Sequence, residues 1–237
     1  MKRTWKRKQR AEDIQEGKEV SMRPDAEATQ EERRGERRPP LLVVSFVRKA
    51  ANSDSLIGIE ELCNRIYGGV FMNPNKLKFW VDQDLEKHCF LLLAQELSIT
   101  WIDNEQYWGW IDQKEKCRHT RGRAVGGVCW LSIWGKFKTI MLSPKTTYEV
   151  AFVVKMNKNS RGWHAPVNLN LTLPDGTTQG RIENLDKKQK DGWIDILAGT
   201  FMTNAKNIGE ISFSFSETGG HWKSGLLIKG VVLRPKD

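Results

Sequence analysis

Residues 167–176 read VNLNLTLPDG. Val167, Leu169, Leu171 and Leu173 alternate with Asn168, Asn170 and Thr172, and Pro174-Asp175-Gly176 ends the run. A period of two puts the aliphatics on one face of an extended chain and the amides and hydroxyl on the other. Such a strand has one side in a core and one in water, and Pro-Asp-Gly stops it by turn chemistry. The same texture recurs on both sides. TYEVAFVVKM (147–156) aligns Tyr148, Val150, Phe152, Val154 and Met156, and GEISFSFSE (209–217) sets Ile211, Phe213 and Phe215 against serines. LSITW (97–101) alternates Leu97, Ile99 and Trp101 with Ser98 and Thr100, a parity that favours burial of Trp101. VCWLSIWGKF (128–137), GWIDILAGTF (192–201) and SGLLIKGVVLRP (224–235) complete the set.

These are seven or eight short strands, each with one apolar face and with no helical periodicity between them. They predict an all-β, antiparallel β-sandwich of jelly-roll type. A parallel α/β sheet would need crossover helices, and none is legible.

Upstream the texture differs. Residues 1–40 mix acidic and basic residues with few apolar ones and end in ERRPP, too little apolar surface to offset ordering entropy. They are expected to form a disordered, charged extension. Its first ten residues carry Lys2, Arg3, Lys6, Arg7, Lys8 and Arg10 without an acid, which is either a nuclear-import or nucleic-acid patch or a solvated tail. Residues 41–67 form an amphipathic helical segment read from DSLIGIEELCNRIYGG (54–69), capped at Asp54 or Ser55, with Leu56, Ile59, Leu62, Cys63 and Ile66 on one face and Gly68-Gly69 as its stop. The sandwich domain then spans 68–237.

The chain has 237 residues and a net charge of +9, so anionic partners, RNA among them, have to be weighed. Its N-terminus lacks the apolar stretch of a secretory signal, and the longest apolar run, LLVVSFV (41–47), is far short of a membrane span. Four cysteines with no CxxC pair suit a reducing compartment. The expected location is therefore cytosolic.

Catalytic signatures are absent: no HExxH, GxSxG, GxGxxG or phosphate-binding loop occurs. Cys117, His119 and Cys129 sketch a partial zinc set whose spacing matches no tight pattern and whose fourth ligand is missing. Neither metal nor cofactor is expected. Glu210 and Glu217 flank one strand, where seven residues at about 3.3 Å each set their backbones about 20 Å apart, too far for a glycosidase pair on a straight strand.

SITWIDNEQYWGW (98–110) places Trp101, Tyr107, Trp108 and Trp110 among Asp, Asn, Glu, Gln and Gly. A sugar ring stacks its C–H face on an indole and hydrogen-bonds its rim to carboxylates and amides, so this mixture suits a lectin site. The competing reading buries Trp101, Trp108 and Trp110 in the core with their N–H groups satisfied by polar neighbours. A base-stacking surface uses the same physics, but Asp103, Glu105 and Asp112 would repel phosphate.

SITWIDNEQYWGW, VCWLSIWGKF, MLSPKTTYEVAFVVKM, GWHAPVNLNLTLPDG, GWIDILAGTF, GEISFSFSE and HWKSGLLIKGVVLRPK follow one another in the order seen in plant phloem lectins. GVFMNPNKLKFWVDQDLEKHCFLLLAQELSITW, upstream, is similar too. The chain resembles the phloem protein 2-like family, which is similar to the Nictaba-related lectins, over roughly residues 68–237. The resemblance implies a non-catalytic β-sandwich that binds N-acetylglucosamine oligomers, chitin fragments and N-glycan cores. The family's carbohydrate site is attributed to two Trp and two Glu, which fall on Trp101, Trp108, Glu210 and Glu217. It also implies cytoplasm, nucleus or sieve-element sap as locations and leaves RNA carriage open as a second function. The lysine loop DKKQK (186–190), a nuclear signal in some relatives, is interrupted here by Gln189. A homodimer would raise avidity.

Overall fold

A computed structural model describes residues 43–44, 59–72, 76–115, 118–125 and 127–236. The expected charged extension (1–40) and the helix cap at Asp54 or Ser55 lie outside the described residues. What is described of the amphipathic helix is α1, Ile59–Gly68. Leu62 and Ile66 are its buried residues, and α1 packs on the strand Leu77–Val81. It stops where Gly69 takes φ +93°, a left-handed conformation that glycine adopts without steric penalty. Among the described residues no helix is long and apolar enough to cross a membrane.

The rest is the expected two-layer sandwich. One sheet holds eight strands, β1 (Val70–Met72), β2 (Leu77–Val81), β3 (His88–Leu93), β5 (Trp108–Glu115), β6 (Arg118–Val125), β8 (Thr147–Arg161), β11 (Trp193–Met202) and β13 (Ser224–Pro235). Strand β13 is its spine: it pairs with β8 along one side, and with β3 and β6 at successive stretches of the other. The second sheet has the order β10-β9-β12-β7-β4, from β4 (Ser98–Ile99), β7 (Leu131–Lys138), β9 (Val167–Thr172), β10 (Thr178–Glu183) and β12 (Glu210–Glu217). Every pairing within the two sheets is antiparallel.

The core follows the alternation. Tyr148, Val150, Phe152, Val154 and Met156 are fully buried, as are Val167, Leu169, Leu171, Ile211, Phe213 and Phe215. Phe152 joins the layers: its ring lies 5.9 Å from that of Phe213 and 5.3 Å from that of Phe215. Apolar burial on this scale is the main favourable contribution to folding.

Two registers orient the second sheet. Strand β12 runs antiparallel to β7, with Glu217 opposite Leu131 and Glu210 opposite Lys138. The start of β7 and the end of β12 therefore share one end of the sandwich, and Glu210 sits at the other. Ser98 and Ile99 pair with Trp134 and Ile133, which brings the β4–β5 connection to the Glu217 end.

Candidate functional site

The connection from β4 to β5, residues 100–107, is pinned by its backbone. Thr100 N–H donates to Ser132 O at 3.0 Å, and the indole Nε1 of Trp108 donates to Thr100 O at 2.9 Å. Asn104 closes the turn: its backbone carbonyl accepts from Tyr107 and Trp108 N–H, and its side-chain oxygen accepts from Gln106 N–H, each at 3.0 Å. Aspartate and asparagine favour such local bonds, which is why a polar stretch folds tightly here.

The two tryptophans thought to stack on sugar part company. Trp101 is 58% exposed and Trp108 1%. The parity reading that buried Trp101 is corrected: β4 ends at Ile99, and Trp101 turns out of register with φ +62°. A tryptophan in the left-handed region is strained by about 1–2 kcal/mol. The stacking role expected of Trp108 meets the opposite obstacle, because its ring lies in the core and presents no face to solvent.

Two further aromatics complete the surface. The Tyr107 ring lies 6.4 Å from Trp101, edge-on, and 6.3 Å from Trp222, which is 62% exposed. The three form a ladder across the end of the sandwich. Beside it lies an open depression of about 600 Å³ lined by Ile99, Trp101, Ile102, Asp103, Asn104 and Glu105. Trp222 is carried by the β12–β13 connection. Gly162, at φ +79°, lets the β8–β9 connection pass close to the Trp222 carbonyl, where a Cβ would collide.

Glu217 holds that connection from within. Its Oε1 accepts from Gly219 N–H at 2.9 Å, and its Oε2 forms an ion pair with Lys223 and lies 3.4 Å from His221 Nε2. The Lys223 side chain is fully buried and donates to the carbonyls of Cys129 (2.6 Å), His221 (2.9 Å) and Gly219 (3.2 Å). Burial alone would push the Glu217 carboxyl up. The Lys223 hydrogen bond, the Gly219 amide and the Lys223 charge outweigh burial and hold it below the usual carboxylate range. His221 packs against His164, ring centres 4.3 Å apart and planes tilted by 39°.

Glu210 does not join this group. It is exposed at the far end of β12 and forms an ion pair with Lys136 at 2.8 Å. Seven is an odd spacing, so Glu217 points inward with Ile211, Phe213 and Phe215, while Glu210 points outward with the serines. Of the four expected site residues, the structure places Trp101, Trp108 and Glu217 at one end, with only Trp101 open to solvent. The surface gains Tyr107 and Trp222. A tryptophan two residues past SETGG (216–220) was the available signal for Trp222. Among the described residues no His, Cys, Asp and Glu group suits a metal ion; Cys117 of the sketched zinc set lies outside them.

Fold and surface together define an all-β sandwich with an aromatic-rich end. The family profile described as Phloem protein 2 matches residues 87–235, and the chain belongs to that family. The chain is 42% identical over 181 residues to "Protein PHLOEM PROTEIN 2-LIKE A1" of Arabidopsis thaliana, covering 74% of this chain and 73% of the relative. It is 36% identical over 177 residues to a protein named "Lectin" from Luffa acutangula, covering 74% of this chain and 84% of that one. A solved xylan-binding domain from Paenibacillus barcinonensis Xyn10C aligns over 60% of this chain at 11% identity and a TM-score of 0.35, too loose a superposition to locate a site.

Proposed function

We propose that the protein is a non-catalytic, carbohydrate-binding lectin whose sugar platform is the Trp101–Tyr107–Trp222 ladder, and that it recognises N-acetylglucosamine oligomers. The observation that carries this reading is Trp101: a large, strained, solvent-facing indole braced by a second ring and bordered by Asp103, Asn104 and Glu105. Its apolar face suits the C–H side of a pyranose ring, and the neighbouring carboxylates and amide suit hydroxyl and acetamido groups. The kinship with a protein named as a lectin supports the same class.

In this reading Trp108 and Glu217 act beneath the surface. Trp108 anchors the loop that presents Trp101, and Glu217 anchors the loop that presents Trp222. Glu210 has no part in the platform. The separation of Glu210 and Glu217 onto opposite ends and faces of β12 supports the non-catalytic reading, since glycoside hydrolysis needs two carboxylates across one cleft.

The test is calorimetric titration with N-acetylglucosamine trimer, comparing wild type with Trp101→Ala and Trp222→Ala. Wild type is expected to bind with about −4 to −8 kcal/mol, independently of salt, and Trp101→Ala to lose measurable binding. Undiminished binding by Trp101→Ala would remove the platform. Binding of RNA alone, falling steeply with salt, would transfer the function to the basic surface.

A further inference from the structure

The outer face of the five-stranded sheet is built unlike an ordinary solvated face. Its side chains follow from the register. Ser214 of β12 lies opposite Trp134 of β7 on one side and Asn170 of β9 on the other. Asn170 in turn faces Gly180 of β10, and Trp134 faces Ser98 of β4. The row that crosses all five strands is thus Gly180, Asn170, Ser214, Trp134 and Ser98. Next to it runs Ile182, Asn168, Ser216 and Ser132. These two rows hold hydroxyls, amides, one indole and, on the edge strand, the exposed Ile182, with no formal charge. Lys136, in the row beyond, is neutralised by Glu210.

Trp134 stands in this field 47% exposed. Its cross-strand neighbours are serines, so no bulky side chain opposite covers the ring. Trp130, in the bend just before β7, is 55% exposed. Asn170 Nδ2 donates to Ser214 Oγ at 3.3 Å, a long bond that a ligand hydroxyl can replace.

We infer that this face, with Trp134 as the stacking platform and Ser214, Ser216, Asn168 and Asn170 as rim partners, binds an extended, uncharged polysaccharide chain. A linear glycan offers alternating apolar ring faces and hydroxyl edges, the complement of an indole among neutral donors and acceptors. Five strands span roughly 19 Å, the length of several sugar rings. Nucleic acid is disfavoured because the rows contain no unpaired cation to meet phosphate. A protein partner is disfavoured because a stable interface centres on a contiguous apolar patch, and here Trp134 stands between Ser98 and Ser214. The surface shares no residue with the Trp101 ladder, so the two readings stand or fall separately.

The experiment is titration of the full chain with hydroxyethyl cellulose, glycol chitin and arabinoxylan, for wild type, Trp134→Ala, Ser214→Arg and Trp101→Ala. Ser214→Arg leaves the indole in place and obstructs the ground beside it. Wild type and Trp101→Ala are expected to bind at least one polysaccharide. For that polymer, Trp134→Ala and Ser214→Arg are expected to weaken binding about tenfold or more, on the scale of one lost stacking contact. Both variants should keep wild-type affinity for N-acetylglucosamine trimer and unchanged circular dichroism. Polymer binding equal to wild type in both variants overturns the inference, as does no polymer binding by wild type. Size-exclusion chromatography supplies a third arm: a wild-type dimer that Trp134→Ala converts to monomer would make this face a self-interface and overturn it as well. The end platform fails on a different result, trimer binding that survives Trp101→Ala.

Discussion

The indole N–H of Trp108 is bonded to the carbonyl of Thr100 at 2.9 Å, and the next residue in the chain is Trp101. One tryptophan, locked in the core, thereby sets the backbone from which the other is turned outward. Their substitutions should separate cleanly. Trp108→Ala opens a large cavity and is expected to lower unfolding free energy by about 3–5 kcal/mol. Trp101→Gly removes left-handed strain while losing a ring contact and gaining unfolded-state entropy, so stability should stay within about 1 kcal/mol of wild type. Urea unfolding measures both. Trp108→Ala is thus expected to weaken sugar binding by loosening the protein, and Trp101→Gly by removing the proposed platform.

Glu217 and Lys223 form a buried pair, and removal of one partner strands the other. Glu217→Gln is expected to cost about 3 kcal/mol. The sign of the pH effect follows from the direction of the shift. The folded carboxyl titrates below its ordinary value of 4.5, so its stabilisation is complete above that pH and is lost as pH falls through the lower, folded value. Wild-type urea midpoints should therefore drop on acidification below about pH 4.5, with a shallower drop in Glu217→Gln. Equal acid slopes in both proteins would refute the assignment.

Glu210→Gln should do little. The Lys136–Glu210 pair is exposed, and such pairs contribute less than about 1 kcal/mol. Trimer affinity is expected to match wild type in calorimetry. A clear loss would place a sugar contact at the far end of β12 and reopen the expectation that both glutamates serve one site.

The sandwich was legible where strands bury one face, because alternation in Tyr148–Met156 or Ile211–Phe215 is imposed directly by the pleat. It was less legible in β3, where burial of Cys89 through Leu93 on both faces erases the alternation. Charged β5 and β6, WGWIDQKE and RHTRGRAV, carry no clean apolar face at all. At the site, the parity that predicted a buried Trp101 holds only while the strand continues, and it ends two residues earlier. The opposite facing of Glu210 and Glu217 was open to simple arithmetic, since an odd separation on a regular strand changes face. Trp222 had no periodic signal. Its exposure depends on Glu217, Lys223 and Gly162, which meet only in the folded chain.

Gly162 makes the last case. Its φ of +79° belongs to the left-handed region, and a Cβ there would collide with the Trp222 carbonyl. Gly162→Ala therefore has two effects at once. The backbone strain alone is about 1–2 kcal/mol. The collision falls on backbone, which no side-chain rotation can relieve, so the β12–β13 connection has to move and carry Trp222 away from Tyr107. A lower thermal midpoint is expected together with weaker trimer binding. The two can be told apart by working well below the midpoint: displacement of Trp222 predicts reduced affinity even where the variant is fully folded by circular dichroism. Wild-type affinity under those conditions would show that Trp222 is not needed in its present place, and would shorten the ladder to Trp101 and Tyr107.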